Sequence, residues 1–155
     1  MTTAVALEPR VKALLDDPAT VKVLATSDRA GRPRATVDDS IHLGPGGHLV
    51  YLERLEGSET QRDLVAGLWF DRPVAVTLRR GQEAVEIVGR PVKSLVAGPE
   101  FRRHYEALRA RLPEGDLAAV WLIQPSEVSD LSYDVRRARQ EAERPFLTHL
   151  DRLAR

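Results

Sequence analysis

SETQRDLVAGLWFDRPVAVTL, residues 58–78, reads as a capped helix that feeds straight into a buried strand. Ser58 and Gln61 have the S-x-x-Q spacing of a capping box, in which each side chain satisfies an orphan backbone N–H of the first turn. Leu64, Val65, Leu68 and Trp69 fall on one helical face. Asp71 and Pro73 end the helix, because proline removes a donor and disfavours helix in the residue before it. Val74, Val76 and Leu78 then alternate with Ala75, Thr77 and Arg79, which is strand period. A helix start with unpaired N–H groups, two hydroxyls (Ser58, Thr60) and a cation (Arg62) has the chemistry of an anion seat. The same residues also describe an ordinary cap on an ordinary helix.

On the N-terminal side, Pro9 opens a short helix with Val11, Leu14 and Leu15 on its apolar side, closed by Pro18. Residues 20–27 form a first strand. DRAGRP is a turn around Gly31 that returns the chain as a hairpin. The second strand is expected to run through residues 35–43, with Ala35, Val37, Ile41 and Leu43 on one side and Thr36, Asp38, Ser40 and His42 on the other. A wholly polar strand face is either solvated or lines a site. GPGGH turns the chain again into HLVYLE, residues 48–53.

On the C-terminal side, Gly81-Gln82 reverses the chain into a strand over residues 83–95, with Gly89 and Pro91 marking a bulge or an edge. Gly98-Pro99 starts a helix with the stripe Phe101, Tyr105, Leu108 and Leu112. LAAVWLIQP is a continuous apolar run, consistent with a strand covered on both faces. SYDVRRARQEAER reads as a charged surface helix and PFLTHLDRLAR as an amphipathic tail with Phe146, Leu147, Leu150 and Leu153 at helical spacing. The turns are too short for parallel crossovers, so the order of elements predicts a small, mainly β barrel of about six mostly antiparallel strands with flanking helices.

A chain of 155 residues is one domain by length, with a hydrophobic fraction of 43% and a charged fraction of 30% that fit a globular protein. Acidic and basic residues balance at 23 each, which gives no reason to expect a nucleic-acid partner. Cysteine is absent, which excludes disulfides, thiolate metal sites and cysteine nucleophiles. No stretch has the length of a membrane span, and the first residues lack the basic region of a signal peptide. A cytoplasmic location is expected.

The sequence holds no GxGxxG, P-loop, GxSxG or HExxH. His42, His48, His104 and His149 lie in different elements without metal-ligand spacing, so surface roles and no metal site are expected. Trp69 and Trp121 are expected in the core. No acid, base or nucleophile is assigned a catalytic role.

Four stretches together resemble a known family, the FMN-binding split barrels related to pyridoxamine 5′-phosphate oxidase and the small bacterial FMN-binding proteins. VKVLATSDRAGRPRAT is similar to the family's strand, D/N-x-G-x-P, strand opening. SETQRDL followed by RPVAVTL resembles its K-T-x-x-N-L … P-x-V-x-L segment. EIVGRPVKSL and AVWLIQPSEV follow in the family's order, and the likeness covers about residues 10–130. It implies a split-barrel domain over residues 1–130, with residues 131–155 as a helical tail packed on the barrel or on a partner subunit. It also implies a homodimer with the cofactor at the subunit interface, FMN as cofactor, and an oxidoreductase or electron carrier as function. Haem or deazaflavin binding, or a cofactor-less structural dimer, are the alternatives within the fold. The cofactor-binding residues implied are Thr36, Asp38 and Ser40 on the second strand and Ser58, Thr60, Gln61 and Arg62 at the helix start. The chain departs from the family at Glu59, where lysine is common. A carboxylate beside a phosphate costs binding unless a cation offsets it, which is the role expected of Arg62.

Overall fold

A computed structural model describes residues 3–153, so residues 1–2 and 154–155, the outer ends of the two expected segments, lie outside it. The chain forms one seven-stranded antiparallel sheet in the order β2-β1-β5-β6-β7-β4-β3 with four helices. In chain order these are α1 (Pro9–Asp16), β1 (Val21–Ser27), β2 (Pro33–Val37), β3 (His42–Leu43), β4 (Leu49–Glu53), α2 (Glu59–Phe70), β5 (Val74–Arg80), β6 (Glu83–Leu95), α3 (Gly98–Arg111), β7 (Ala119–Asp130) and α4 (Tyr133–Glu143). This is a split-barrel, α+β architecture. No helix among the described residues is long and apolar enough to cross a membrane.

The second strand differs from the sequence expectation. It stops at Val37, and the chain restarts as the two-residue β3 on the opposite edge of the sheet. The break has a local cause. One carboxylate oxygen of Asp38 accepts the backbone N–H of Ser40 at 2.7 Å, an Asx-type turn that competes with the strand ladder. Thr36, Asp38 and Ser40 therefore do not share a strand face. Val37 stands 68% exposed while Ile41, expected beside it, is fully buried.

The main core lies inside the curled sheet, where Leu24, Val76, Leu78, Val85, Ile87, Trp121 and Ile123 line it. Helix α1 plugs one end, with Val11, Leu14 and Leu15 all buried in the same cluster. A second cluster of Val50, Leu108, Leu117 and Val120 forms where α3 covers the outer face of β4 and β7. The apolar run of β7 thus has cover on both faces, as its composition requires. Each such side chain contributes about 1.5–3 kcal/mol on burial.

Helix α2 starts and stops as its sequence dictates. Ser58 is the N-cap, its hydroxyl accepting the backbone N–H of Gln61 at 2.9 Å. Asp71 ends the helix in the left-handed conformation at φ 52°. The reciprocal half of the capping box is not made, because the Gln61 side chain takes another partner. The buried face also differs from expectation. It carries Thr60, Asp63, Leu64, Ala66 and Gly67, while Val65 and Leu68 are partly exposed and Trp69 is 78% exposed. Gly67 sits where α2 crosses β6, and a Cβ there would lie 2.9 Å from Pro91 Cγ.

The bulge expected near Gly89 and Pro91 is present: the β6–β7 register shifts at both places. A Cβ on Gly89 would meet Gln124 O at 2.6 Å and Ile123 Cγ2 at 2.9 Å, so the strands approach too closely there for any side chain. Gly89→Ala is expected to destabilise the fold by about 1–3 kcal/mol. Gly57→Ala, whose added Cβ meets nothing within 4 Å, is the control. Urea unfolding of both variants checks this, and equal midpoints would refute the close-approach account.

Candidate cofactor site at the first turn of helix α2

The first turn of α2 is held by two long-range contacts. Trp121 Nε1 donates to Gln61 Oε1 at 2.7 Å, which fixes the turn to β7. Ser58 Oγ, besides capping the helix, donates to Glu53 Oε2 at 2.8 Å. Concavities of contrasting chemistry flank this turn.

The inner one, about 530 Å³, is lined by Thr36, Asp38, Tyr51, Glu53, Ser58 and Thr60, together with Arg54, Glu114 and Asp116. Glu53 at the end of β4 is only 3% exposed. Its carboxylate accepts from Tyr51 Oη at 2.9 Å, from Leu55 N at 2.9 Å and from Ser58. Burial and then the charge of Glu53 push the Tyr51 pKa up, so the phenol keeps its proton and donates it. Thr36 and Thr60 hydroxyls lie 3.1 Å apart.

The outer trough, about 970 Å³, runs between the β1–β2 turn and the exposed side of α2. Arg34 on β2 bridges to Glu59 and, at 3.0 Å through Nε, to the buried Asp63, which also accepts from Thr26 Oγ1 at 2.7 Å. Removing one partner of a buried ion pair costs about 3–5 kcal/mol, so this bridge is a structural tie between β2 and α2. Arg32 is paired with Asp28 at 2.7 Å. Arg29 and Arg62 line the trough without a carboxylate partner among the described residues. Trp69 and Phe70 form its apolar end, with Arg72 5.8 Å from the Phe70 ring centre.

The residues singled out from the sequence are thus divided. Thr36, Asp38, Ser58 and Thr60 line the inner concavity, and Gln61 and Arg62 line the outer trough. Ser40 lies in a third cleft beside His42, where its hydroxyl accepts the backbone N–H of Leu52 at 3.0 Å. Sequence reasoning missed Glu53, Arg34 and the contact between His42 and His104, whose ring centres are 6.0 Å apart. Arg34 follows Pro33 in the turn-to-strand segment, a signal that became readable only with its partners Glu59 and Asp63 in view.

A phosphate does not fit the inner concavity. Asp38, Glu53, Glu114 and Asp116 face a single arginine there, and each carboxylate about 4 Å from a phosphate oxygen would cost about 4 kcal/mol near a protein surface. In the outer trough Arg62 stands in the first turn of α2 and Arg29 on the β1–β2 turn, on a lining that also carries Arg32, Arg34, Asp28, Glu56, Glu59 and Asp63.

No family model matches the sequence, and no curated protein matches it. Solved structures do match, and they define the class of fold: a split barrel. An FMN-binding protein from Syntrophomonas wolfei is 12% identical, with 78% of this chain and 83% of that chain covered and a TM-score of 0.61. An F420 reductase is 19% identical over 76% of this chain and 94% of that one, with a TM-score of 0.60. The haem storage protein HutZ from Vibrio cholerae is 15% identical over 81% and 95%, with a TM-score of 0.56. Identities this low establish the shared fold; three ligands on one fold leave the choice among them to the site.

His104 adds a pH dependence. Burial, then the neighbouring His42, hold its pKa below the usual value, with Arg103 acting in the same direction and Glu100 against it. Lys22, Asp16, Asp17, Asp39 and Arg111 complete the charged lining of that cleft. Because the folded state resists protonation, this stability is complete above the unfolded pKa of about 6.5 and is lost as pH falls through the depressed folded value. His104→Gln is expected to flatten the melting temperature against pH below about 6.5. Calorimetry across that range checks it; an unchanged slope would remove His104 from the acid response.

Proposed function

We propose that the chain is a homodimeric split-barrel flavoprotein that holds FMN in the outer trough and serves as an oxidoreductase or electron carrier. One observation carries the reading: two arginines without carboxylate partners among the described residues, Arg62 in the first turn of α2 and Arg29 on the β1–β2 turn, share a trough with Trp69, which is exposed in the last turn of the same helix. A cationic end and an aromatic end in one trough suit a planar ligand with a phosphate tail. The FMN-binding and F420 neighbours support a flavin-type ligand on this fold. Haem is less well served, since the trough lining has no His, Tyr, Met or Cys to act as an axial ligand.

Bound FMN would supply the electron or hydride transfer. The residues of the chain would hold and orient it: Arg62 at the phosphate, Trp69 along the ring, and Gln61 keeping the helix start in place through Trp121. A second subunit would cover the apolar side chains left open, Trp69, Phe70 and Leu68 on α2 together with Phe146, Leu150 and Leu153 in the tail.

Titration of apo protein with FMN tests the site. A charge-assisted contact contributes about 1.5–3 kcal/mol, so Arg62→Ala should weaken binding roughly ten- to hundred-fold. Glu59→Lys should tighten it, because it removes a carboxylate and releases Arg34 from one of its two partners. Wild-type affinity in both variants would place the phosphate elsewhere, and a wild type that takes up no FMN would favour the cofactor-less dimer. The dimer has its own test. Phe146 is 93% exposed in the single chain, and removing residues 145–155 should raise the dimer dissociation constant in sedimentation experiments; an unaltered constant would exclude the tail from the interface.

A further inference from the structure

His42 lies on β3 and His104 on α3, and their rings come together over a cleft of about 450 Å³ that shares no lining residue with the trough. Neither residue takes part in the proposed cofactor site. The ring centres are 6.0 Å apart and the ring planes are inclined at 49°. His42 Nδ1 is 2.6 Å from the carbonyl oxygen of Ser40. A carbonyl can only accept, so Nδ1 carries the proton and Nε2 presents a lone pair. This is the tautomer and the backbone anchor that metal-bound imidazoles show.

We propose that His42 and His104 form a two-imidazole site for a divalent transition metal ion that clips α3 to the barrel. The separation agrees with the chemistry. Imidazole nitrogens sit about 2.0–2.1 Å from such an ion, so two rings sharing one at the tetrahedral angle have centres about 5 Å apart, within about 1 Å of the separation found. The nearby charges permit it. The Lys22 ammonium is committed to Ile41 O at 2.7 Å, and Asp17 to Arg80 at 2.6 Å. Asp16 and Asp39 remain on the cleft wall to offset Arg111. Among the described residues no three His, Asp or Glu side chains converge on one point, so water completes the coordination. Imidazole with water suits Cu²⁺ and Zn²⁺, with Cu²⁺ the tighter.

The clip has a structural purpose on this fold. Leu108 is the one buried side chain of helix α3, with Phe101 and Tyr105 only partly covered, so α3 is lightly held for a helix that covers the sheet. A metal bond between β3 and α3 would fasten it over the second core cluster.

Tag-free protein titrated with Cu²⁺ and followed by electron paramagnetic resonance tests the proposal. One equivalent should bind with hyperfine structure from two imidazole nitrogens. Zn²⁺ should compete for the site and raise the melting temperature. His42→Gln and His104→Gln should each weaken Cu²⁺ at least ten-fold, and the His48→Gln/His149→Gln variant should bind as wild type. The wild-type spectrum stands whether or not a variant folds. A wild-type signal without two imidazole nitrogens, or full binding in the His42→Gln/His104→Gln variant, would overturn the proposal.

Discussion

The short link of residues 38–41 closes the barrel. It joins β2 to β3, which lie at opposite edges of the seven-stranded sheet. Strands are spaced about 4.8 Å apart, so the two edges of a flat sheet would stand about 29 Å apart. The few residues from Val37 to His42 span at most about 18 Å. The sheet must curl until its edges approach, and the interior that this creates is the main core. Lys22 holds the closure in place. Its backbone carbonyl accepts the N–H of Asp38 at 3.0 Å, and its ammonium donates to Ile41 O at 2.7 Å. Burial lowers the Lys22 pKa, and Asp39, Asp16 and Asp38 pull it back up. Asp38, which the alternation placed on a polar strand face, thus makes the turn, and Asp39 is a counter-charge of the closure.

Closure also sets the chemistry around α2. The helix lies across the curled sheet, with Gln61 tied to Trp121 and Asp63 tied to Thr26 and Arg34. The first turn is left between an acidic concavity and an arginine-bearing trough. A positive helix end would favour an anion on either side. On the inner side the protein supplies that anion itself, since Glu53 is already bonded to the N-cap hydroxyl. On the outer side Arg29 and Arg62 line the trough without a carboxylate partner among the described residues. Glu59 belongs to the same arrangement, because Arg34 stands opposite it.

Features with local causes were legible in the sequence. Ser58 as a cap, Asp71 and Pro73 as a stop, Gly89 as a bulge and Pro99 as a helix start all depend on a few neighbouring residues. Antiparallel pairing followed from the short turns. Features that depend on distant partners were not legible. Trp69 has the periodicity of a core residue, yet the sheet covers the neighbouring face, so periodicity alone could not assign it. Gln61 has the spacing to complete a capping box, but Trp121 claims its side chain. The alternation through residues 35–43 imitates a strand because the Asx turn at Asp38 preserves polar and apolar alternation while redirecting the chain. His42 and His104 could be recognised as neighbours only after α3 was placed over β4 and β7.

The pairing of β4 with β7 also bears on how the chain acquires its shape during synthesis. Glu53 is in register with Ala119, far later in the sequence, and the sheet partner of β3 is β4. As the chain leaves the ribosome, β1, β2, β5 and β6 can assemble in turn, but β3 and β4 have no ladder partner beyond each other until β7 emerges. Contacts so distant in sequence form late and slowly. Until then Leu49, Val50 and Tyr51 present an apolar strand with an open edge, and a nascent chain in that condition is a natural client for a chaperone.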